Sequence, residues 1–335
     1  MDNKVKRGFK RKTIEATIRS KVKAWLASID DIELRDAVKK DFIVTGGAIT
    51  SMLLGDLPND YDVYFQNPDV AARLANYYIS RLSTSDNEKT STPIVTVPPE
   101  RNRVEIKVQS AGIAGEDIDQ SKYEYFEMYS DGADRAAAYL DAMAAKNTGK
   151  FTSLAITTNA ITLTDQIQII LRFCGSPEEI HKNYDFVHTT NWFTEDHGLE
   201  LRVEALESTL SRELKYIGSR YPICSMFRLK KFIKRGWTIT AGEMLKIAWD
   251  ISKLDLDDRE VLQDQLTGVD AAYFRQIMDL LSKDDKPIER TYLFELINRI
   301  FDEDQDVLEK IDQPADPIID LGAELRAKLE ERFSS

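Results

Sequence analysis

The stretch of sequence that decides the fold reads VTGGAI over residues 44–49 and NDYDVYF over residues 59–65. Its second part carries two carboxylates, Asp60 and Asp62, within a run of β-forming residues. Alternate residues of a strand point to the same face, so these side chains should project together with their backbones about 7 Å apart. That separation lets both carboxylates share divalent metal, which predicts a metal-assisted reaction at a phosphate group.

The first part supplies a glycine turn between a strand and a helix. We predict a strand over residues 42–45, a helix over 47–54 and a second strand over 61–65, with Gly46 and Gly47 where the helix begins. Glycine lets the backbone approach a phosphate, and the amides of a helix N-terminus can receive it. Metal-binding carboxylates that face a phosphate cradle are the working parts of nucleotidyl transfer.

This pattern resembles the nucleotidyltransferase superfamily, which includes DNA polymerase beta, poly(A) polymerase and the CCA-adding tRNA enzymes. Its hallmark is a Gly-Gly or Gly-Ser turn, a short helix and Asp-x-Asp on the next strand, with a third carboxylate on a later strand. The matching residues are Gly46, Gly47, Leu53, Leu54, Gly55, Asp60 and Asp62. The resemblance implies an α/β (α+β) head with a mixed sheet, followed by an all-helical C-terminal domain. It also implies Mg²⁺ or Mn²⁺ as cofactor and a nucleoside triphosphate as substrate.

The chain departs from the CCA-adding enzymes at one position of the motif, and its later segments resemble a further group of proteins. Thr50 and Ser51 stand where the CCA-adding enzymes usually carry an Arg-Asp pair, which argues against a plain CCA-adding enzyme but not against the superfamily. Later segments resemble nucleotidyltransferase-like proteins of large tailed phages and giant viruses. These segments are residues 158–161, 168–170, 177–180 and 184–186.

Three acids are candidates for the third carboxylate, which would act as general base or help to hold the metal. Asp185 lies in a predicted strand over residues 184–188 and matches the strand that carries this group in the resembling proteins, so it is the first choice. Glu105 lies on an alternating strand, where a solvent-facing charge is the plain alternative. Asp165 lies in a predicted hairpin turn, where Asp is favoured for backbone reasons. His188, at the end of the predicted strand, is expected to pack rather than react.

Further residues are candidates for nucleotide contacts. Ser51, one turn into the helix, and Asn159, in a predicted strand, are placed to reach phosphate or sugar, although a helix-bonded serine and a sheet-edge amide fit equally well. Arg228, Lys231 and Arg235 recur at i, i+3 and i+7 and therefore share one helix face. Their run resembles the helix that helps to bind the incoming nucleotide in CCA-adding and poly(A) polymerases. A solvated basic face is the alternative.

The composition is that of an ordinary globular chain of two or three domains, with 335 residues of which 42 % are apolar and 30 % charged. No apolar run approaches the roughly 18–20 residues that span a bilayer, so we expect a cytoplasmic protein with no membrane partner. Cys174 and Cys224 are too few for a disulfide framework. The net charge of −12 disfavours nucleic acid, yet residues 1–23 hold nine Lys or Arg against two acids. A basic arm can bind phosphate locally despite an acidic total.

We predict three regions: a basic N-terminal helical arm over residues 1–40, a nucleotidyltransferase catalytic domain over 41–198, and a helical C-terminal domain with an acidic tail over 199–335. The expected reaction transfers a nucleoside monophosphate from a nucleoside triphosphate to an acceptor and releases pyrophosphate. An RNA or tRNA 3′ end is the first candidate acceptor. The alternatives are transfer to a protein or small molecule, and a catalytically silent nucleotide-binding regulator.

Overall fold

The computed structural model describes residues 7–81, 93–98, 102–109, 123–125, 127–129, 150–157 and 159–256, together with residues 261, 265 and 318–319. The predicted acidic tail, most of the predicted helical domain beyond residue 256 and the first six residues of the basic arm lie outside the described residues.

The predicted strand-helix-strand unit is present, with boundaries within one residue of those expected from the sequence. The first six elements are α1 (Arg11–Leu26), α2 (Ile32–Asp41), β1 (Phe42–Thr45), α3 (Gly47–Leu53), β2 (Tyr61–Phe65) and α4 (Pro68–Ile79). Asp60 lies immediately before β2 rather than within it, so only Asp62 is carried by the strand itself.

The remaining described elements are short strands and, after residue 176, four helices interspersed among them. The strands before residue 180 are β3 (Ile94–Thr96), β4 (Glu105–Gln109), β5 (Tyr123–Tyr125), β6 (Glu127–Tyr129), β7 (Ser153–Thr157), β8 (Ala160–Leu163) and β9 (Ile167–Cys174). They are followed by α5 (Pro177–His181), β10 (Trp192–Thr194), β11 (Gly198–Glu200), α6 (Val203–Ser211), β12 (Glu213–Leu214), α7 (Pro222–Lys234), β13 (Thr238–Ile239), α8 (Ala241–Ser252) and β14 (Ile318–Ile319).

Besides two small sheets, β3-β4-β5 and β12-β13, nine of the described strands build one large mixed sheet, which confirms the expected α/β class. Its strand order is β11-β10-β1-β2-β9-β8-β7-β6-β14. The strand that carries Asp62, β2, pairs antiparallel with β1 and parallel with β9. β2 therefore lies near the middle of the sheet, with a strand hydrogen-bonded on each side, and this fixes the direction of its side chains.

The two faces of this sheet differ in character because apolar and polar residues alternate along its central strands. One face is covered by α1, α2 and α4 and carries the main core, to which Val44, Val63 and Ile169 contribute. The other face carries the polar residues of the same strands, including Thr45 and Asp62. The second face is not polar throughout, because Ile43 and Tyr64 lie on it and pack with Ile180 of α5 in a small buried cluster.

The basic N-terminal helix is packed into the main core. α1 buries Ile14, Ile18, Val22, Trp25 and Leu26. The indole N–H of Trp25 donates to the Tyr78 hydroxyl of α4 at 2.9 Å. Arg19 pairs with Glu195 at 3.0 Å, next to the β10–β11 hairpin. This helix is therefore part of the same folded body as the sheet, and its boundary with the catalytic domain remains a prediction.

The segment from residue 184 to 188, predicted as a strand, is not one. The chain bends at Asp185, forms a single bridge between Phe186 and Tyr216, and then makes a 3₁₀ turn over Val187–Thr189. The Thr189 hydroxyl donates to the Phe186 carbonyl at 2.9 Å. Such local side-chain bonds compete with strand pairing, and here they decide the conformation despite the β-forming composition.

A second, smaller core joins this turn to the helices that follow. Phe186 packs with Leu229, Trp237 and other residues of α7, β12, β13 and α8. His188 lies within it, 1 % exposed, with its ring 4.7 Å from Phe232 and 4.3 Å from Trp237 between centroids. The expectation that His188 packs is confirmed.

The burial of α1 predicts that Trp25→Ala destabilises the fold strongly. Emptying a fully buried indole site typically costs about 3–5 kcal/mol. The matched control is Lys23→Ala, an exposed position on the same helix, for which we expect a change within about 0.5 kcal/mol. Urea denaturation measures both. Equal stabilities of the two variants would show that α1 is not part of the core.

The apolar surroundings of His188 predict a loss of stability in acid. Burial lowers the pKa of His188 to about 3, below its ordinary value of 6.5, so the folded state resists a proton that the unfolded chain accepts. Stability should therefore fall as the pH drops from 6.5 towards 3, by up to about 1.4 kcal/mol per pH unit for this group. The variant His188→Phe, which fits the aromatic surroundings and cannot titrate, should show a shallower decline. Denaturation curves from pH 7 to pH 4 test this, and identical slopes would contradict it.

Candidate active site

The carboxylate of Asp62 lies against the glycine turn that joins β1 to α3. Gly46 has a φ of +93°, a conformation that L side chains rarely adopt. A Cβ atom added there would lie 2.8 Å from Asp62 Oδ2, closer than such atoms approach one another. The Gly46 amide donates to the Thr189 carbonyl at 3.1 Å, which holds the turn in place. Both the backbone conformation and the available space therefore require glycine at this position.

The two motif carboxylates differ in exposure. Asp62 is half-buried in β2, and Asp60 is exposed at the residue before the strand begins. Gly47 has open space where a Cβ would be, so the start of α3 next to them is uncrowded. The glycine turn and Asp62 are thus in contact, as the sequence predicted, with Asp60 at the edge of the site.

A row of side chains crosses the polar face of the sheet at the level of Asp62. Register partners on adjacent strands point to the same face. Following the register from β10 through β1, β2 and β9 to β8 gives Trp192, Thr45, Asp62, Gln168 and Thr162. Asp62 therefore has a threonine as its neighbour on one side and a glutamine on the other.

The Thr45 side of this row is fixed by buried hydrogen bonds. The Thr45 hydroxyl donates to the Asn191 carbonyl at 2.8 Å and lies 2.8 Å from His181 Nε2. Because the hydroxyl has a single proton, the His181 ring must be the donor in that second contact, which requires the tautomer with hydrogen on Nε2. Burial, assisted by the positive charge of Arg202, lowers the pKa of His181 to about 4 and keeps the ring neutral.

Tyrosine hydroxyls continue the polar surface beside the turn. The Tyr184 hydroxyl lies 3.7 Å from the position of a Cβ on Gly46, within the same small space as Asp62 Oδ2. The Tyr64 and Tyr184 rings are 6.0 Å apart between centroids. Burial, together with the negative charge of Asp62, raises the pKa of both phenols, so they stay protonated.

Asp185, the first choice for the third carboxylate, is engaged by a cation. Its Oδ2 forms an ion pair with Arg228 of α7, and its side chain is buried. Its Oδ1 is buried without a hydrogen-bond partner among the described residues. In the part of the chain that the structure describes, no three acidic, histidine or cysteine side chains are grouped as a metal site. The shared metal role of Asp60, Asp62 and Asp185 stays a prediction.

The other two candidates for the third carboxylate, Glu105 and Asp165, have different surroundings. Glu105 is buried, not solvent-facing as its plain alternative assumed, and it forms an ion pair with Arg103. Asp165 lies in the tight turn between β8 and β9 with a φ of +59°, as expected of a hairpin turn. Its carbonyl accepts from Lys21 of α1 at 3.1 Å.

The candidate nucleotide contacts are distributed unevenly. Arg228 reaches the site face, whereas Lys231 of α7 and Arg235, the residue that follows this helix, are exposed. Ser51 is half-buried in α3. Asn159 lies in the β7–β8 turn, where its carbonyl accepts from Leu171, three residues or about 10 Å along β9 from Gln168. Asn159 is therefore not adjacent to Asp62.

Sequence reasoning missed Gln168 and Arg172. Both interrupt the apolar run of β9 and share one of its faces. The Arg172 guanidinium lies 5.1 Å from the centre of the Tyr221 ring. Burial lowers the pKa of Arg172, and the positive charge of Arg228 adds to this effect. Polar residues at i and i+4 of an otherwise apolar strand were the available signal, but only the pairing of β9 with β2 brings them to the site.

A curated phage protein is similar in sequence to part of this chain. A protein from Bacillus phage SPbetaL7, Gabija anti-defense 2, is 25 % identical over 158 residues, which is 46 % of this chain and 35 % of that protein. The chain thus spans about a third of the length of the curated relative.

In the described part of the chain, no helix is long and apolar enough to cross a bilayer.

Two solved structures are similar over part of their length. A CCA-adding enzyme with ATP matches with a TM-score of 0.38 and 10 % identity, covering 95 % of this chain and 66 % of that one. The Bacillus stearothermophilus CCA-adding enzyme with CTP matches with a TM-score of 0.35 and 14 % identity, covering 78 % of this chain and 48 % of that one.

The family model of Gabija anti-defense 2 matches residues 16–212, which include the glycine turn, the carboxylates and Asp185. This chain belongs to the Gabija anti-defense 2 (Gad2) family.

Proposed function

We propose that the protein is a metal-dependent nucleotidyltransferase that transfers a nucleoside monophosphate from a nucleoside triphosphate to an acceptor and releases pyrophosphate. The observation that carries the proposal is the contact between the Asp62 carboxylate and the Gly46 turn. This contact sets a carboxylate beside a backbone turn that has no side chain to obstruct a phosphate. Transfer of this kind depends on positioning and charge neutralisation rather than on many reactive side chains.

The residues around Gly46 are suited to Mg²⁺ or Mn²⁺. Carboxylate oxygens are the ligands that these ions prefer, and an added Cβ would fill the space in which Asp62 Oδ2 lies. Asp60 and Asp62 would hold the ion, and it would neutralise charge on the triphosphate. The protein's own contribution is to orient Asp62 through the pairing of β2 with β1 and β9.

The nucleotide would lie over the polar face of the sheet. Gly46 and Gly47 offer their backbone, Ser51 its hydroxyl, and Arg228 its charge, with Asn159, Lys231 and Arg235 as more distant contributors. In the structure, Arg228 neutralises the charge of Asp185. An arriving phosphate would compete for this guanidinium, and its transfer to the phosphate would free the Asp185 carboxylate to act as the third acid near the metal or as general base.

An RNA 3′ end is the acceptor that we propose first. The exposed cations Lys231, Lys234 and Arg235 at the end of α7 offer a surface for backbone phosphates. Membership of a family named for countering the Gabija defence gives the reaction a proposed setting, the defeat of that defence by a phage. Transfer to a protein or a small molecule is the second candidate.

The central prediction concerns Asp62→Asn. It removes a charge while keeping the size of the side chain, so transfer of label from α-labelled nucleoside triphosphate should fall by at least about 100-fold. The assay supplies Mg²⁺, each triphosphate in turn, total RNA and a host protein extract. The control Asp56→Asn neutralises an acid outside the motif and should retain transfer.

The destination of the label decides between the acceptors. Label that appears in RNA and depends on Asp62 supports RNA as the acceptor. Label that appears in protein instead supports the second candidate acceptor. Absence of label from both, with nucleotide binding retained, would support the silent regulator instead.

The glycine turn generates a second prediction, on Gly46→Ala. The backbone of Gly46, with φ +93° and ψ −150°, lies in a region that is essentially restricted to glycine and costs a residue with a Cβ about 1–3 kcal/mol, and the clash with Asp62 Oδ2 adds displacement of the carboxylate. We expect reduced stability and loss of transfer. The matched control for stability is Gly47→Ala, which meets open space and lies in α3, where alanine is favoured by up to about 1 kcal/mol.

Urea denaturation and the labelling assay measure both variants. If Gly46→Ala is as stable as this control and as active as wild type, Asp62 does not depend on the turn and the proposed geometry is wrong.

A further inference from the structure

The strand next to β2 places a neutral side chain beside Asp62. β9 runs parallel to β2, and its Gln168 is the register partner of Asp62. Neighbouring strands are about 4.8 Å apart, so Gln168 is the nearest residue to Asp62 on this side of the row. It is half-buried and points to the same face. The next residue outward is Thr162 of β8, about 10 Å from Asp62 across two strand spacings.

Two of the three described acids that compete for a third place form ion pairs. Asp185 forms an ion pair with Arg228, and Glu105 forms one with Arg103. Asp165 lies in the β8–β9 turn. Among the described residues, the position that adjoins Asp62 on the β9 side therefore belongs to an amide.

We propose that Gln168 is a further ligand of the divalent cation beside Asp62, which makes this a site for one cation in the nucleotide-free protein. The inference rests on the proposed function, because it assumes that Asp60 and Asp62 hold metal. An amide carbonyl is a hard oxygen that Mg²⁺ and related cations accept as a ligand. Two carboxylates and an amide carry a charge of −2, which balances a single divalent ion.

The chemistry of the amide also limits what Gln168 can do in the reaction. A glutamine side chain does not accept a proton near neutral pH, so Gln168 supplies no general base. The deprotonation of the acceptor must then be served by another group, for which Asp185 becomes available only when a phosphate has taken Arg228.

The test is a Mn²⁺ titration of the nucleotide-free protein, with free Mn²⁺ followed by electron paramagnetic resonance. Wild type should bind one ion. Gln168→Glu adds a negative charge about 5 Å from Asp62 and should tighten binding at least about 10-fold. The matched control is Thr162→Glu, which adds the same charge one strand further out and should change the affinity by less than about 3-fold.

A second pair of variants covers the case in which Gln168→Glu does not fold. Gln168→Ala removes the amide oxygen and should weaken Mn²⁺ binding at least about 3-fold, whereas Thr162→Ala should leave it unchanged. Thermal unfolding without metal verifies that each variant is folded. Equal Mn²⁺ affinities for the position-168 and position-162 variants would overturn the inference.

Asp62→Asn separates the failure of this inference from failure of the proposed function. If that variant loses Mn²⁺ binding while both Gln168 variants bind like wild type, the cation site stands and the role of Gln168 is wrong. If wild type binds no Mn²⁺, or binds it as well as Asp62→Asn does, the metal site itself is wrong and the inference falls with it.

Discussion

The contact between the Asp62 carboxylate and the Gly46 turn is the constraint on which the rest of the site depends. It needs a left-handed backbone, the absence of a Cβ and a strand that points the carboxylate at the turn. The first two are properties of glycine, and the third follows from the pairing of β2 with strands on both sides. A change in any one of them would separate the carboxylate from the backbone that borders the proposed phosphate site.

Around this contact, the protein keeps several polar groups neutral by burying them. His181 stays unprotonated while it fixes Thr45, and the phenols of Tyr64 and Tyr184 stay protonated beside Asp62. The charge of the site face is therefore concentrated in a few groups, the motif carboxylates and the arginines. This arrangement suits a site that must bind both a cation and a polyanion, because neutral donors add hydrogen bonds without adding charge.

The ion pair of Asp185 with Arg228 joins the bend that follows α5 to α7, and both partners adjoin residues of the second core. Arg228 belongs to α7, whose neighbours Phe232 and Trp237 enclose His188 beside the bend at Asp185. Any ligand that withdraws Arg228 from Asp185 would leave a buried carboxylate without its counter-charge, which is costly unless a cation replaces it. Nucleotide and metal binding would thus be coupled through this pair.

The sequence by itself determined the strand-helix-strand unit and the glycine turn, because hydrophobic period and glycine conformation are local properties. Its period also predicted which side chains of β2 face away from the core. The same local reasoning failed at residues 184–188, where threonine hydroxyl bonds and a bridge to Tyr216 replaced the expected strand. Only the tertiary structure decided that Gln168 lies beside Asp62 and that Arg228 pairs with Asp185. Both depend on register and packing between segments distant in the chain, and no local pattern encodes these.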